Sequence, residues 1–224
     1  MKAIILAGGF GTRLAKITGE RPKPLAEVGG VTILEHQVNL LQKHGIFDIR
    51  LSLYHKADQV IAFCEAKWPG KFEYVVEPRP LGTGGGIKFA SRDLKEPFLV
   101  LNGDGLTDVD ISAMMRSLPN TIMCVEVSDA RDFGLLNIDN GKIKEFLEKP
   151  QEKITGYVNC GFYLLSPTVF ENTPEEFMIE KEIFPRLAES GELNVFLHKG
   201  YWIDAGTEER YKKANEEVRK WKEI

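Results

Sequence analysis

The chain has 224 residues, 43% of them hydrophobic, enough for one substantial core in a single domain spanning 1–224. Its net charge is -4, with 28% charged residues of both signs interspersed, so neither a polyanion-binding surface nor a nucleic-acid partner is expected. Three widely spaced cysteines (Cys64, Cys124, Cys160) sit in apolar surroundings, which argues against a disulfide scaffold or paired metal ligands. No apolar run approaches the roughly 18–20 residues of a membrane span, and Lys2–Leu6 is too short for a signal-peptide core. A soluble cytoplasmic protein with buried thiols and no membrane partner follows as the expectation.

Lys2–Leu6 reads as one buried strand that stops at Ala7-Gly8-Gly9. Gly8, Gly9 and Gly11 fall within four positions, followed by Thr12 and Arg13. Successive backbone N–H groups in such a turn form a nest for anions, and arginine is a forked cation suited to phosphate. The loop is neither a dinucleotide fingerprint, since Leu14 stands where the third glycine belongs, nor a P-loop, since Gly-Lys-Ser/Thr is lacking. A phosphate cradle and a plain chain reversal both fit it.

Residues 15–31 read as loop, with Lys23 held between Pro22 and Pro24 on stiff, extended backbone. Lys23 then projects either toward a ligand or simply into solvent. Thr32–His44 has helical spacing, a capping box of Thr32 with Glu35, and Gly45 as its stop. Asp48–Leu53 alternates as a strand with Ile49, Leu51 and Leu53 on one face. Ala57–Lys67 is helical, Phe72–Val76 a strand, Gly82–Leu94 a helix opened by a second glycine cluster, and Pro97–Leu101 an apolar strand. Strands alternating with helices predict an α/β fold, a mostly parallel sheet flanked by helices on both faces.

The second half changes character. Thr121–Val127, Phe133–Ile138, Ile143–Phe146 and Tyr157–Leu165 are strand-like with short connections, which predicts a smaller mixed or antiparallel extension. Phe177–Ser190 reads as a helix ended by Gly191, Leu193–His198 and Tyr201–Ile203 as short strands, and Thr207–Lys222 as an amphipathic helix. Tyr211, Ala214, Val218 and Trp221 share its apolar side. Internal packing of that side is the expectation, with monomer and homodimer both open.

Asp104 and Asp204 each end an apolar run, where a carboxylate can hold a hard divalent ion or cap a turn. Asp108-Val-Asp110 is a decoy for metal binding, because Asp110 is better placed to cap Ile111–Ser117. Glu148-Lys149-Pro150 closes a strand; Asn159-Cys160-Gly161 places an amide inside an apolar run, where it needs partners, a sugar hydroxyl among them. In Pro80-Leu-Gly-Thr-Gly-Gly-Gly86 the backbone can lie against a flat base and Thr83 can donate to it; an anion site at a helix N-terminus is the rival reading.

Taken in order, Gly8-Gly-Phe-Gly-Thr-Arg-Leu14, Pro22-Lys-Pro-Leu25, Pro80-Leu-Gly-Thr-Gly84, Asn102-Gly-Asp104, Glu148-Lys-Pro150, Asn159-Cys-Gly161 and Trp202-Ile-Asp204-Ala-Gly-Thr207 resemble the sugar-1-phosphate nucleotidylyltransferases over essentially the whole chain. The resemblance implies a Rossmann-like sheet and a Mg²⁺-dependent reaction in which a sugar 1-phosphate attacks the α-phosphorus of a nucleoside triphosphate and pyrophosphate leaves. By motif, it places Leu6, Ala7, Gly8, Gly9, Gly11, Thr12 and Arg13 on the triphosphate and Glu77, Gly82 and Thr83 at the base. It makes Arg13 and Lys23 the catalytic cations and Asp104 and Asp204 the metal ligands. Asn102, Gly103, Gly134, Glu148, Lys149, Asn159 and Gly161 would bind the sugar phosphate.

The pattern is most similar to heptose- and mannose-1-phosphate guanylyltransferases, which favours GTP; UTP- or dTTP-using relatives are the alternative. Two other classes stand beside these: a glycosyltransferase using Asp108 and Asp110, and a non-catalytic nucleotide-sugar sensor. The latter would be expected to lose Arg13, Lys23 or a metal aspartate. None of His36, His44, His55 and His198 falls in a motif, which fits a displacement whose nucleophile is already ionised.

Overall fold

The computed structural model describes residues 1–221, with side chains to Val218. Strand β1 (Ala3–Leu6) leads through the glycine loop into a 3₁₀ turn at Thr12–Leu14 and helix α1 (Ala15–Thr18). A second 3₁₀ turn, Lys23–Leu25, precedes the hairpin of β2 (Glu27–Val28) and β3 (Val31–Thr32). The expected loop over 15–31 is thus largely ordered into short elements. Leu14, Leu25, Ala26 and Val28 anchor it by burial, a signal too sparse for periodicity to register.

Helix α2 (Ile33–Lys43) begins with the expected capping box, and Gly45 takes φ 76° just beyond its end. Then come β4 (Ile49–Leu53), α3 (Ala57–Lys67), β5 (Phe72–Val76), α4 (Gly82–Ser91), β6 (Phe98–Asn102), β7 (Gly105–Thr107) and α5 (Ile111–Met114). The second half holds β8 (Thr121–Val127), β9 (Gly134–Asp139), β10 (Lys142–Glu148), β11 (Gly156–Leu165), α6 (Ile179–Glu189), β12 (Asn194–Leu197), β13 (Trp202–Asp204) and α7 (Glu208–Trp221). Lys222 and the side chain of Trp221 lie outside the described residues. All five residues of β4 are buried, Arg50 and Ser52 included, because helices cover both faces of the strand; one-sided alternation was the wrong expectation there. Helix α6 starts two residues later than predicted, because Phe177 is tied down: its N–H donates to Leu81 and its carbonyl accepts from Gly84 and Gly85.

Nine strands form one sheet in the order β5-β4-β1-β6-β11-β8-β12-β10-β9. The first four are parallel; β11 turns antiparallel to β6 and to β8 and carries the sheet into its mixed half. One core cluster, including Ala3, Ile5 and Leu101, covers one face, and another, including Ile4, Val100 and Tyr163, covers the other. Burial of this apolar surface, at about 25 cal/mol per Å², is the main force holding the sheet. A third cluster joins Leu14, Ala26, Val28, Leu106, Ile203, Ala205, Ala214 and Val218. It gathers the glycine loop, the Lys23 segment, β7, β13 and α7 at one end of the sheet.

Candidate active site

A cleft of about 320 Å³ opens over the carboxyl ends of β1, β4 and β6, where open α/β sheets bind ligands. Leu6, Gly8, Gly9, Lys23, Glu77, Gly82, Thr83, Asn102, Gly103 and Asp104 line it, all of them marked in the sequence. Phe10, Pro24, Pro80, Leu81 and Met178 complete its walls, with Ser52 from β4 and Tyr54 just beyond it.

The glycine loop is built for close approach. A Cβ on Gly8 would lie 2.7 Å from the Tyr54 nitrogen, and one on Gly11, at φ 63°, would lie 3.0 Å from the Lys23 Cβ. The second contact lets the Lys23 segment rest on the loop. Among the described residues, the N–H groups of Gly8, Gly9, Phe10 and Gly11 have no hydrogen-bond partner, and Arg13 is exposed without an ion pair. An anion would find four unengaged N–H donors and a guanidinium here.

Lys23 Nζ donates to Asp104 Oδ2 at 2.7 Å, with the two side chains 18% and 16% exposed. The missed strand β7 explains how the second carboxylate arrives. It pairs antiparallel with β13 in the register Asp204↔Gly105, which sets Asp204 beside Asp104. A Cβ on Gly206 would be 2.6 Å from Asp204 Oδ1 and 3.0 Å from Asp104 Oδ2, so both carboxylates face one small space. That space, lined by hard oxygen donors, suits a divalent ion that keeps further ligands from phosphate or water. Burial alone would raise Asp104, but Lys23, then Arg13 and Arg210, outweigh it and hold its carboxyl below the usual range. Asp204 goes the other way: burial and the Asp104 charge push it up to about 6, against the pull of Arg210.

Buried Gln37 on α2 steadies Asp104 from below, donating to the carbonyls of Asn102 (2.7 Å) and Gly105 (2.9 Å). Gly103 lets β6 end tight against β1, and Gly161, at φ 78°, leaves room for the Asn102 amide.

At the cleft's other end, Glu77 accepts from Leu81 N–H (3.1 Å) and from Ser52 Oγ (3.3 Å), and burial raises its carboxyl. The glycine cluster 82–86 serves packing. Cβ atoms at Gly82, Gly84 and Gly85 would strike residues 175–177, and the N–H groups of Gly84 and Gly85 are taken by Phe177. Two of the four N–H groups that an anion would need at this helix start are thus already engaged. Thr83, which lines the cleft, donates its Oγ1 hydroxyl to Glu180 at 2.6 Å and accepts from Ile179 N–H, which ties the turn to α6.

Gly134, Glu148, Lys149, Asn159 and Gly161 lie on or just after β9, β10 and β11, and none of them lines this cleft. Gly134 faces Glu148 across the β9–β10 ladder, and a Cβ there would lie 3.1 Å from the Glu148 carboxylate. Lys149 Nζ is 3.4 Å from Glu148. The Asn159 amide has protein partners, accepting from Gly161 N–H at 2.9 Å and donating to Tyr163 at 3.0 Å, so it does not need a sugar to satisfy it. Ala7 is buried with its N–H on Ser52, and Thr12 opens the 3₁₀ turn. Glu180, held high by burial, adjoins Glu148 and Lys149 and was missed; an acid in a first helical turn is too ordinary to signal.

The family model described as Nucleotidyl transferase matches residues 2–220. The chain belongs to the nucleotidyl transferase family. Within it, the chain is 37% identical over 220 residues to the mannose-1-phosphate guanylyltransferase catalytic subunit beta of Dictyostelium discoideum, covering 92% of this chain and 61% of that one. It is 34% identical over 220 residues to mannose-1-phosphate guanyltransferase beta-A of Xenopus laevis, with the same coverage. The chain thus spans less than two thirds of the length of these relatives. Among solved structures, HddC from Yersinia pseudotuberculosis complexed with GMP-PN superposes with a TM-score of 0.84 at 35% identity, covering 97% of this chain and 99% of that one. A putative glucose-1-phosphate thymidylyltransferase from Bacillus anthracis reaches 0.86 at 30% identity, with 98% and 95% covered. The family's fold is therefore present over 97–98% of this chain. Among the described residues no helix is long and apolar enough to cross a membrane.

Proposed function

We propose that this chain is a single-domain, Mg²⁺-dependent sugar-1-phosphate nucleotidylyltransferase that joins GTP to a sugar 1-phosphate, mannose or heptose, and releases pyrophosphate. The observation that carries the proposal is the convergence of an anion-ready glycine loop, Lys23 and two facing carboxylates on one sheet edge. Membership of the family and the guanylyltransferase relatives support it.

On this reading the loop N–H groups and Arg13 grip the triphosphate, Arg13 nearest the leaving pyrophosphate. Lys23 neutralises charge where the two phosphates meet, and Lys149 holds the sugar phosphate. Asp104 and Asp204 would hold Mg²⁺, which when bound supplies positive charge to the phosphate oxygens. The attacking phosphate is already an anion, so positioning and charge neutralisation suffice without a strong base. Guanine fits the base end because Glu77 offers only acceptors, and the guanine edge presents two adjacent donors. A pyrophosphate-release assay over a matrix of nucleoside triphosphates and sugar 1-phosphates tests the proposal: release with GTP and mannose or heptose 1-phosphate is expected, and no release with any pair removes it.

The carboxylate pair also predicts a pH effect. Asp204 has a folded pKa raised to about 6, so its contribution to stability is full below the unfolded value, near 3.9, and is lost as pH rises through 6. Metal-free protein should therefore melt lower above that window. Mg²⁺ needs the ionised pair and should raise the melting temperature more at about pH 7.5 than at about pH 5. Equal Mg²⁺ shifts at the two pH values would count against the pair as the metal site.

A further inference from the structure

Asp204 is pinned at both oxygens. Oδ1 accepts from Gly206 N–H at 2.5 Å, and Oδ2 lies 3.3 Å from Arg210 Nη2. Arg210 does more than pair with that carboxylate. Its Nε donates to the Asp204 carbonyl at 3.0 Å, its Nη1 to Asp132 at 2.7 Å, and its guanidinium lies 5.1 Å from the Phe133 ring centre. The Phe133 ring in turn packs edge-on against Trp202, two residues before Asp204. The arginine side chain is only 16% exposed.

A cation in the first turn of a helix opposes the helix dipole and is a poor choice unless anions hold it there. Here they do, and the arginine fills a need that no other described residue meets. Two carboxylates facing one space repel, and without a fixed partner the more weakly held one turns toward solvent. Lys23 holds Asp104; among the described residues only Arg210 forms an ion pair with Asp204.

We propose that Arg210 is a positioning residue for the carboxylate pair: it holds Asp204 facing Asp104 and ties that carboxylate to the 132–133 segment that runs into Gly134 at the start of β9. The proposal rests on the reading of Asp104 and Asp204 as metal ligands. It requires the fork of a guanidinium, because three separate acceptors are met by three nitrogens, and a lysine has one.

The test is Mn²⁺ binding to the whole protein in the presence of GTP, read by electron paramagnetic resonance without turnover, alongside the KM for Mg²⁺ in the pyrophosphate assay. Arg210→Ala should weaken Mn²⁺ about 10–100-fold and raise the Mg²⁺ KM in parallel, while KM for GTP at saturating metal stays within about twofold. Arg210→Lys should recover only part of the loss, and Asp132→Asn should cost about threefold. Unchanged or tighter Mn²⁺ binding in a folded Arg210→Ala protein overturns the proposal. If that variant fails to fold, wild-type binding by Arg210→Lys overturns it instead. Wild-type protein with no Mn²⁺ site sensitive to Asp104→Asn overturns the metal reading itself, and the proposal with it.

Discussion

Asparagine at position 104 is expected to lower kcat by about a thousandfold with the fold intact, a loss of the size seen when one preorganised charge is taken from a reacting phosphate or oxyanion. The side chain sits just beyond β6, 16% exposed, with Lys23 at 2.7 Å. Asparagine keeps its volume and one acceptor oxygen but removes the charge that Lys23 and a divalent ion both need. Steady-state pyrophosphate release and a thermal melt would measure the two halves of this statement. A kcat within tenfold of wild type would sink the assignment of Asp104. The same experiment separates the neighbouring acids. Asp110 caps α5 through Ala113 N–H at 2.9 Å, and Asp108 holds Tyr201 N–H and the His198 ring. Their alanine variants should cost stability, about 1 kcal/mol for the cap, and leave kcat nearly unchanged. A glycosyltransferase built on Asp108 and Asp110 would give the opposite pattern.

Alanine at position 103 should be the most disruptive small change in the cleft. Its Cβ would lie 2.2 Å from the Leu6 carbonyl oxygen and 3.5 Å from the Ala7 Cα, both backbone atoms of a buried strand end. Neither can swing away as a side chain tip would, so the end of β6 must part from β1, where Leu6 pairs with Asn102. The expected cost is about 3 kcal/mol, or about 8 °C in melting temperature for a chain of this size. Activity should fall too, because Asp104 moves away from the glycine loop. Chemical denaturation would measure the cost, and a change below about 1 kcal/mol would show that the strands can separate locally without penalty.

How much of this was readable before folding depends on the kind of signal each residue leaves. Gly8–Arg13, Lys23, Asp104 and Asp204 announce themselves because each breaks an apolar run or sits between prolines, and the structure brings all of them to one edge. Strand β7 was invisible, since three residues carry no periodicity, yet its pairing with β13 is what makes the two aspartates neighbours. The glycines at 82–86 showed that something approaches the backbone closely, but not that it is the chain's own segment 175–177. The protein partners of Thr83 and Asn159, Glu180 and Tyr163, come from tertiary packing that no local pattern displays. Arg210 did leave a mark, a cation in the first turn of a helix, readable as a demand for a nearby anion. Gln37 left none, since a buried amide inside an amphipathic helix is seen only once the carbonyls it serves are in place.

The joining of β7 to β13 has a consequence for how a new molecule comes to life on the ribosome. The four parallel strands, with the glycine loop, Lys23 and Asp104, all lie in the first half of the chain, whereas Met178 in the cleft wall and Phe177 beneath the 82–86 turn come from the second. Asp204, Arg210 and the small cluster that seats them on Leu14 and Ala26 arrive only with the last strand and helix described. The ribosome therefore delivers the two carboxylates far apart in time, and the pairing of β7 with β13 is the step that makes them neighbours.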